Sequence, residues 1–128
     1  MKKNIWVIDD DPPTLEVIGI ALEAEGYEVK TFTDLDFENF LQEACEVLPD
    51  LVITDVVMPK VSGFDVCFKI KEMFQPHPPP VIVMTGKLDA IDPVRARKMG
   101  ADDFVVKTSG MAVLVKAVKK IFLEKGLV

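Results

Sequence analysis

The sequence predicts an α/β domain: a doubly wound, five-stranded parallel sheet with helices on both faces. Three observations carry that reading. Short, β-rich apolar runs alternate with longer helical stretches along all 128 residues. Four of the five runs are nearly continuous in apolar side chains, as strands covered on both faces are. The remaining run, within YEVKTF, alternates polar with apolar and suits the edge of a sheet. Strict alternation of strand and helix within one domain length leads to parallel strands joined by crossover helices.

The strands are predicted over Asn4–Ile8, Glu28–Phe32, Leu51–Thr54, Val81–Met84 and Asp103–Val106, and the helices near Pro13–Glu25, Leu35–Val47, Phe64–Phe74, Ala90–Lys98 and Met111–Lys125. Pro12 and Pro13 fit the first turn of a helix, where a missing N–H costs nothing. In that first helix, Thr14, Val17, Ile18, Ala21 and Leu22 read as the core stripe, leaving Leu15 and Ile20 as exposed apolar surface. Gly26 and Gly100 each follow a helical run and suit the left-handed position that ends it. Asp34 is expected to cap the second helix, and Ser109 or Thr108 the last one. QPHPPP (75–80) cannot be helix or central strand and reads as a stiff connector. His77 is expected to be an exposed loop histidine within it.

Hydrophobic residues make up 49% of the chain and charged residues 28%, which is a globular composition. With no linker or internal repeat, residues 1–128 read as one domain. The net charge of −6 opposes direct nucleic-acid binding, which needs clustered Lys and Arg. Lys116, Lys119, Lys120 and Lys125 recur at helical spacing and read as a solvated face. No apolar run approaches the ~20 residues of a membrane span, and Asp9–Asp11 interrupt the first apolar segment too early for a signal peptide. The expectation is a cytoplasmic protein with no membrane contact. Cys45 and Cys67 lack a CxxC or a His-rich neighbourhood and read as two small buried thiols.

Chemistry in open parallel sheets gathers beyond the carboxyl ends of the strands. The first run ends in Asp9, Asp10 and Asp11, the third in Asp55, the fourth in Thr85 and the fifth in Lys107. Any one aspartate there is an ordinary turn former. Acids, a hydroxyl and an ammonium delivered to one rim by four different strands, with none from the edge strand, form a specific constellation. Clustered carboxylates suit Mg²⁺ (or Mn²⁺), a hard cation held by oxygen ligands. Beside such an ion one carboxylate can attack phosphorus and form an acyl phosphate, with Thr85 and Lys107 placed to bind the phosphoryl oxygens.

VIDDD (7–11), LVITDVVMPKVSG (51–63), VIVMTG (81–86) and GADDFVVK (100–107) resemble the receiver domain of two-component response regulators over nearly the whole chain. The resemblance implies a flavodoxin-like strand order of 2-1-3-4-5. It implies that Asp55 is the phosphoacceptor, that Asp10, Asp55 and the Val57 carbonyl ligate Mg²⁺ directly, and that Asp9 acts through water. Thr85 and Lys107 would bind the phosphoryl group, and Thr85 and Phe104 would form the switch. Asp11 would be a bystander that starts the first loop. Pro59 and Gly63 would shape the turn that aims the Val57 carbonyl, with Gly63 tolerating a conformation that other residues avoid. The implied partners are a histidine kinase or histidine phosphotransfer protein, docking on the first helix and the loop after the fifth strand, and a downstream protein target. The resemblance leaves a homodimer through the signalling surface open. The domain would catalyse only its own phosphorylation and dephosphorylation.

Two departures stand out. Thr108 replaces the proline usual after the family's lysine, so the bond after Lys107 is expected to be trans. Val56 and Val57 offer no hydrogen bond to an attacking water, so slow spontaneous dephosphorylation is expected. Two other readings compete. A haloacid-dehalogenase-like phosphatase would use Asp9 as nucleophile, with Asp9 and Asp11 as its Asp-x-Asp pair, but Pro13 breaks that motif and Asp55 is left unexplained. A receiver-like module that is never phosphorylated would bind partners only.

Overall fold

The computed structural model describes residues 2–86 and 93–126. Its strands are β1 (Asn4–Ile8), β2 (Glu28–Phe32), β3 (Leu51–Asp55), β4 (Val81–Thr85) and β5 (Asp103–Val106). All are parallel, in the order β2-β1-β3-β4-β5. The helices are α1 (Pro12–Glu23), α2 (Phe37–Glu46), α3 (Gly63–Met73), α4 (Pro93–Lys98) and α5 (Met111–Glu124). The expected β–α alternation and strand order are therefore observed, and the residues forecast at 90–92 of the fourth helix lie outside those described.

Alternation along each strand divides the core between two layers. Ile5 and Val7 face α1 and α5, with Ile53, Met84, Leu114 and Val118. Trp6 and Ile8 face the other way, toward Phe40 of α2 and Phe64, Cys67 and Ile70 of α3. The rings of Trp6, Phe32 and Phe40 meet with centroids 4.9–5.3 Å apart. β3 and β4 are buried at every position, and β2 buries only Phe32 fully, as its alternating sequence requires of an edge strand; β5, expected to be covered on both faces, is instead the second edge and buries only Val105 fully. Among the described residues no helix is long and apolar enough to cross a membrane.

Several local expectations are corrected. In α1 the core stripe is Leu15, Ile18, Gly19 and Leu22, a run of i, i+3, i+4 and i+7. Leu15 is thus buried, and Val17 is 51% exposed beside Ile20 at 61%; the expected stripe was rotated by about a third of a turn. α2 starts later than forecast, because a 3-10 turn at Asp34–Asp36 precedes it. There Thr33 donates its N–H and its hydroxyl to Asp36 Oδ2, at 3.4 and 3.1 Å, while Asp34 is buried and caps nothing. Cys45 is exposed, whereas Cys67 is buried and burial pushes its thiol up to about 11. The N-cap position of α5 falls not on Ser109 but on Gly110, at φ +91°, after a 3-10 turn at Lys107–Ser109, and the Thr108 side chain lies outside those described. Gly26 and Gly100 do adopt the expected left-handed conformation, at φ +91° and +94°.

The rim opposite the carboxyl ends is tied by Asp102. Its carboxylate accepts the Val81 N–H at 2.8 Å and pairs with Lys71 at 2.7 Å and Lys125 at 3.5 Å. Lys71 also donates to the Pro79 carbonyl at 2.9 Å, which anchors the proline-rich connector. Among the described residues the one cis peptide is Gln75–Pro76, so the bond after Lys107 is trans, as expected.

Candidate functional site

Parallel strands deliver Asp9, Asp55, Thr85 and Lys107 to one rim because each ends or directly follows a strand, buried at β1, β3 and β4 and partly buried at β5. Asp9 is fully buried, and its own N–H donates to the Phe32 carbonyl at 3.1 Å, extending the β1–β2 ladder by one bond. Asp55 closes β3 at 6% exposure and Thr85 closes β4 at 2%. Asp10 turns outward and is exposed. Asp11 is the extended N-cap residue of α1. It donates its N–H to Asp9 Oδ1 at 3.0 Å, and its carboxylate accepts the Thr14 hydroxyl. It therefore orients a rim carboxylate as well as starting the helix.

Lys107 reaches back across the rim. Its Nζ lies 2.7 Å from Asp9 Oδ2 and 3.5 Å from Asp55 Oδ2. Burial, the like charges of Asp9 and Asp10, and only partial relief from Lys107 push the Asp55 carboxyl up to about 6. Burial also raises Asp9, against the pull of Lys107. For Lys107 the burial that would lower its pKa is outweighed by Asp9 and Asp55, and the net shift is upward. Asp9, Asp10 and Asp55 can each offer a carboxylate oxygen within 4.8 Å of the others. Three carboxylates facing one ammonium leave surplus negative charge among hard oxygen donors, a set that fits a divalent cation.

The loop between β3 and α3 borders this cluster. Val56 and Met58 point into the core while Val57, between them, is 66% exposed. The Val56 N–H donates to the Met84 carbonyl and the Gly63 N–H to the Val56 carbonyl, both at 2.8 Å. Gly63 is needed for a reason other than the one expected. It does not adopt a left-handed conformation; instead a Cβ there would stand 2.0 Å from the Asp55 carbonyl oxygen. Phe104 is half-buried against the α2–α3 core layer and, with Ala96, Ala101 and Asp102, lines a cavity of about 60 Å³. Beside Lys107, a pocket of about 270 Å³ is lined by Pro13, Thr14, Val17 and Met111. Sequence reasoning missed two contacts here, the Lys107–Asp9 pairing and the Asp34 carboxylate accepting the Lys60 N–H at 2.8 Å. Residues 98 positions apart carry no local signal, and a buried aspartate reads like any turn aspartate.

A doubly wound sheet with an acidic, cation-attracting rim at its carboxyl end defines a class of α/β signalling and nucleotide-handling domains. Residues 5–119 match the family described as the response regulator receiver domain, and the chain belongs to that family. It is 35% identical over 107 residues to the DNA-binding response regulator MtrA of Mycolicibacterium smegmatis, covering 84% of this chain and 45% of that protein. It is likewise 35% identical over 110 residues to the alkaline phosphatase synthesis transcriptional regulatory protein PhoP of Bacillus subtilis, covering 84% of this chain and 43% of that one. The chain thus spans less than half the length of these curated relatives. Among solved structures, a response regulator receiver domain protein from Clostridium thermocellum superposes with a TM-score of 0.83 at 35% identity, over 98% of each chain. Receiver domains are signalling domains of two-component systems rather than enzymes in the usual sense.

Proposed function

We propose that this domain accepts a phosphoryl group from a phosphohistidine onto Asp55. The observation that carries the reading is the Asp55 carboxylate itself: nearly buried at the end of β3, flanked by Asp9 and Asp10, with the Lys107 ammonium 3.5 Å away. An Asp55 oxygen attacks phosphorus, the O–P bond forms, and the P–N bond to the donor imidazole breaks with its electron pair returning to nitrogen. The product is a mixed anhydride on Asp55. Lys107 is near enough to pair with a phosphoryl oxygen, and the Thr85 hydroxyl, at the end of the neighbouring strand, can donate to another.

Asp10, Asp55 and the Val57 carbonyl would hold Mg²⁺ (or Mn²⁺) directly, with Asp9 acting through water. When bound, the cation offsets the negative charge that gathers around the transferring phosphoryl group. Lys107 already neutralises Asp9, which leaves Asp10 and Asp55 as the carboxylates most available to an ion.

Phosphorylation then biases Thr85 and Phe104 between two arrangements and alters the surface of α4, β5 and α5 for a downstream protein. The donor, a histidine kinase or histidine phosphotransfer protein, would dock at the apolar pocket of Pro13, Val17 and Met111, which opens beside Lys107. The setting is cytoplasmic, and residues 1–128 act as one domain. A phosphatase working through Asp9 is disfavoured because that carboxylate is fully buried and ion-paired.

Intact mass after incubation with Mg²⁺ and acetyl phosphate tests the reading. One added phosphoryl group is expected in the wild type, and none in Asp55→Asn or without Mg²⁺. Labelling of Asp55→Asn but not of Asp9→Asn would restore the phosphatase. No labelling at all would favour a domain that only binds partners.

A further inference from the structure

Among the described residues the buried polar or charged side chains are Asp9, Thr54, Asp55, Thr85 and Asp34. The first four lie in or immediately after the central strands, next to the carboxyl rim. Asp34 stands apart, at the start of the 3-10 turn after β2, 7% exposed and with no cation in salt-bridge range among the described residues. An aspartate that merely forms a turn bonds its own turn and keeps its charge in water. Asp34 instead reaches another loop, where its Oδ2 accepts the Lys60 backbone N–H at 2.8 Å.

The position of that bond matters. The segment between β3 and α3 is fixed at its two ends by the Val56 and Gly63 backbone bonds. Between them, apart from the Ser62 bonds that cap α3, the Lys60 N–H makes the one hydrogen bond to another element among the described residues. A carboxylate oxygen 2.8 Å from a backbone N–H makes this a directional tie. We infer that Asp34 is a positioning residue for the phosphoacceptor loop: by holding Lys60 it fixes the backbone path that leads from Asp55 through Val57. The inference rests on reading Asp55 as the phosphoacceptor with the Val57 carbonyl as a cation ligand. A residue of this kind acts as the supporting shell of a metal site does, and losing one weakens metal binding by about 10–100-fold.

Two variants separate positioning from simple stability. Asp34→Asn keeps an oxygen acceptor of the same shape. Asp34→Leu fills the space without an acceptor and leaves the Lys60 N–H without its carboxylate partner. Mg²⁺ affinity is measured by titration calorimetry, and amide hydrogen exchange over residues 56–62 by mass spectrometry, with all proteins folded by circular dichroism. The expected result is a Kd about tenfold weaker and faster exchange in Asp34→Leu, with Asp34→Asn within about twofold of wild type. Unchanged affinity in Asp34→Leu, or an equal loss in Asp34→Asn, overturns the positioning role while leaving Asp55 phosphorylation intact. A wild type that binds no Mg²⁺ overturns the underlying phosphoacceptor reading, and this inference with it.

Discussion

Gly63 and Asp55 are packed backbone to backbone: a Cβ on residue 63 would stand 2.0 Å from the Asp55 carbonyl oxygen and 2.7 Å from its carbonyl carbon. Neither atom can move aside without displacing the end of β3. Gly63→Ala is therefore expected to cost about 3 kcal/mol or more, beyond the usual penalty of overpacking, because backbone must shift. Urea unfolding gives the number, and the phosphorylation rate of whatever remains folded should fall with it. A loss below about 1 kcal/mol would mean the loop can relax around a methyl group.

Asp55 is held in its charged form against its surroundings, and the consequence for stability has a definite sign. Its carboxyl titrates near 6 in the folded chain against an ordinary 3.8, and Asp9 is shifted in the same direction. Between those values the folded state binds a proton that the unfolded chain does not, so stability rises as pH falls. In Mg²⁺-free buffer the domain should gain about 1 kcal/mol between pH 7 and pH 5.5. Asp55→Asn should be more stable than wild type at pH 7 by roughly 2 kcal/mol, with a flatter pH profile. Denaturation midpoints at several pH values decide this, and a wild type that weakens steadily below pH 7 would contradict it.

Lys107 is the cation that makes this rim tolerable. Lys107→Met leaves two buried carboxylates without their partner, and the expected cost at pH 7 without metal is about 3 kcal/mol. Mg²⁺ should raise the melting temperature of this variant by more than it raises that of wild type, since one positive charge fewer competes for the same carboxylates. Scanning calorimetry with and without Mg²⁺ measures both effects.

Val57 sits two residues past Asp55 with an exposed side chain that can neither donate nor accept a hydrogen bond. Val57→Asn supplies a group able to orient a water toward the phosphoryl group. Decay of the phosphorylated form, followed by intact mass, is expected to quicken roughly tenfold, below the 10²–10⁴-fold of a full general base. An unchanged lifetime would place the control of hydrolysis elsewhere.

The sheet and its rim were legible because their signals are local. Each of the runs ending at Ile8, Asp55, Thr85 and Val106 is short, largely apolar and either ends in a polar group or is followed by one, so strand and site are legible in the same few residues. What could not be read depends on a third dimension. The α1 stripe was misphased because apolar residues stand on most sides of that helix, and only packing selects Leu15 over Val17. Cys45 has the spacing of a core residue but faces solvent. Asp34 and Gly63 look like a cap and a turn glycine until the Lys60 amide and the Asp55 carbonyl are seen beside them.

The ion pair between Asp9 and Lys107 joins residues 98 positions apart, one after the first strand and one after the last. Closing a loop of that length costs chain entropy that only the assembled sheet between them offsets. Half-built or locally frayed molecules therefore hold the acids without their counter-charge. If Asp55 is the phosphoacceptor, competence to take up a phosphoryl group depends on contacts between the two ends of the sheet and not on any one segment of it.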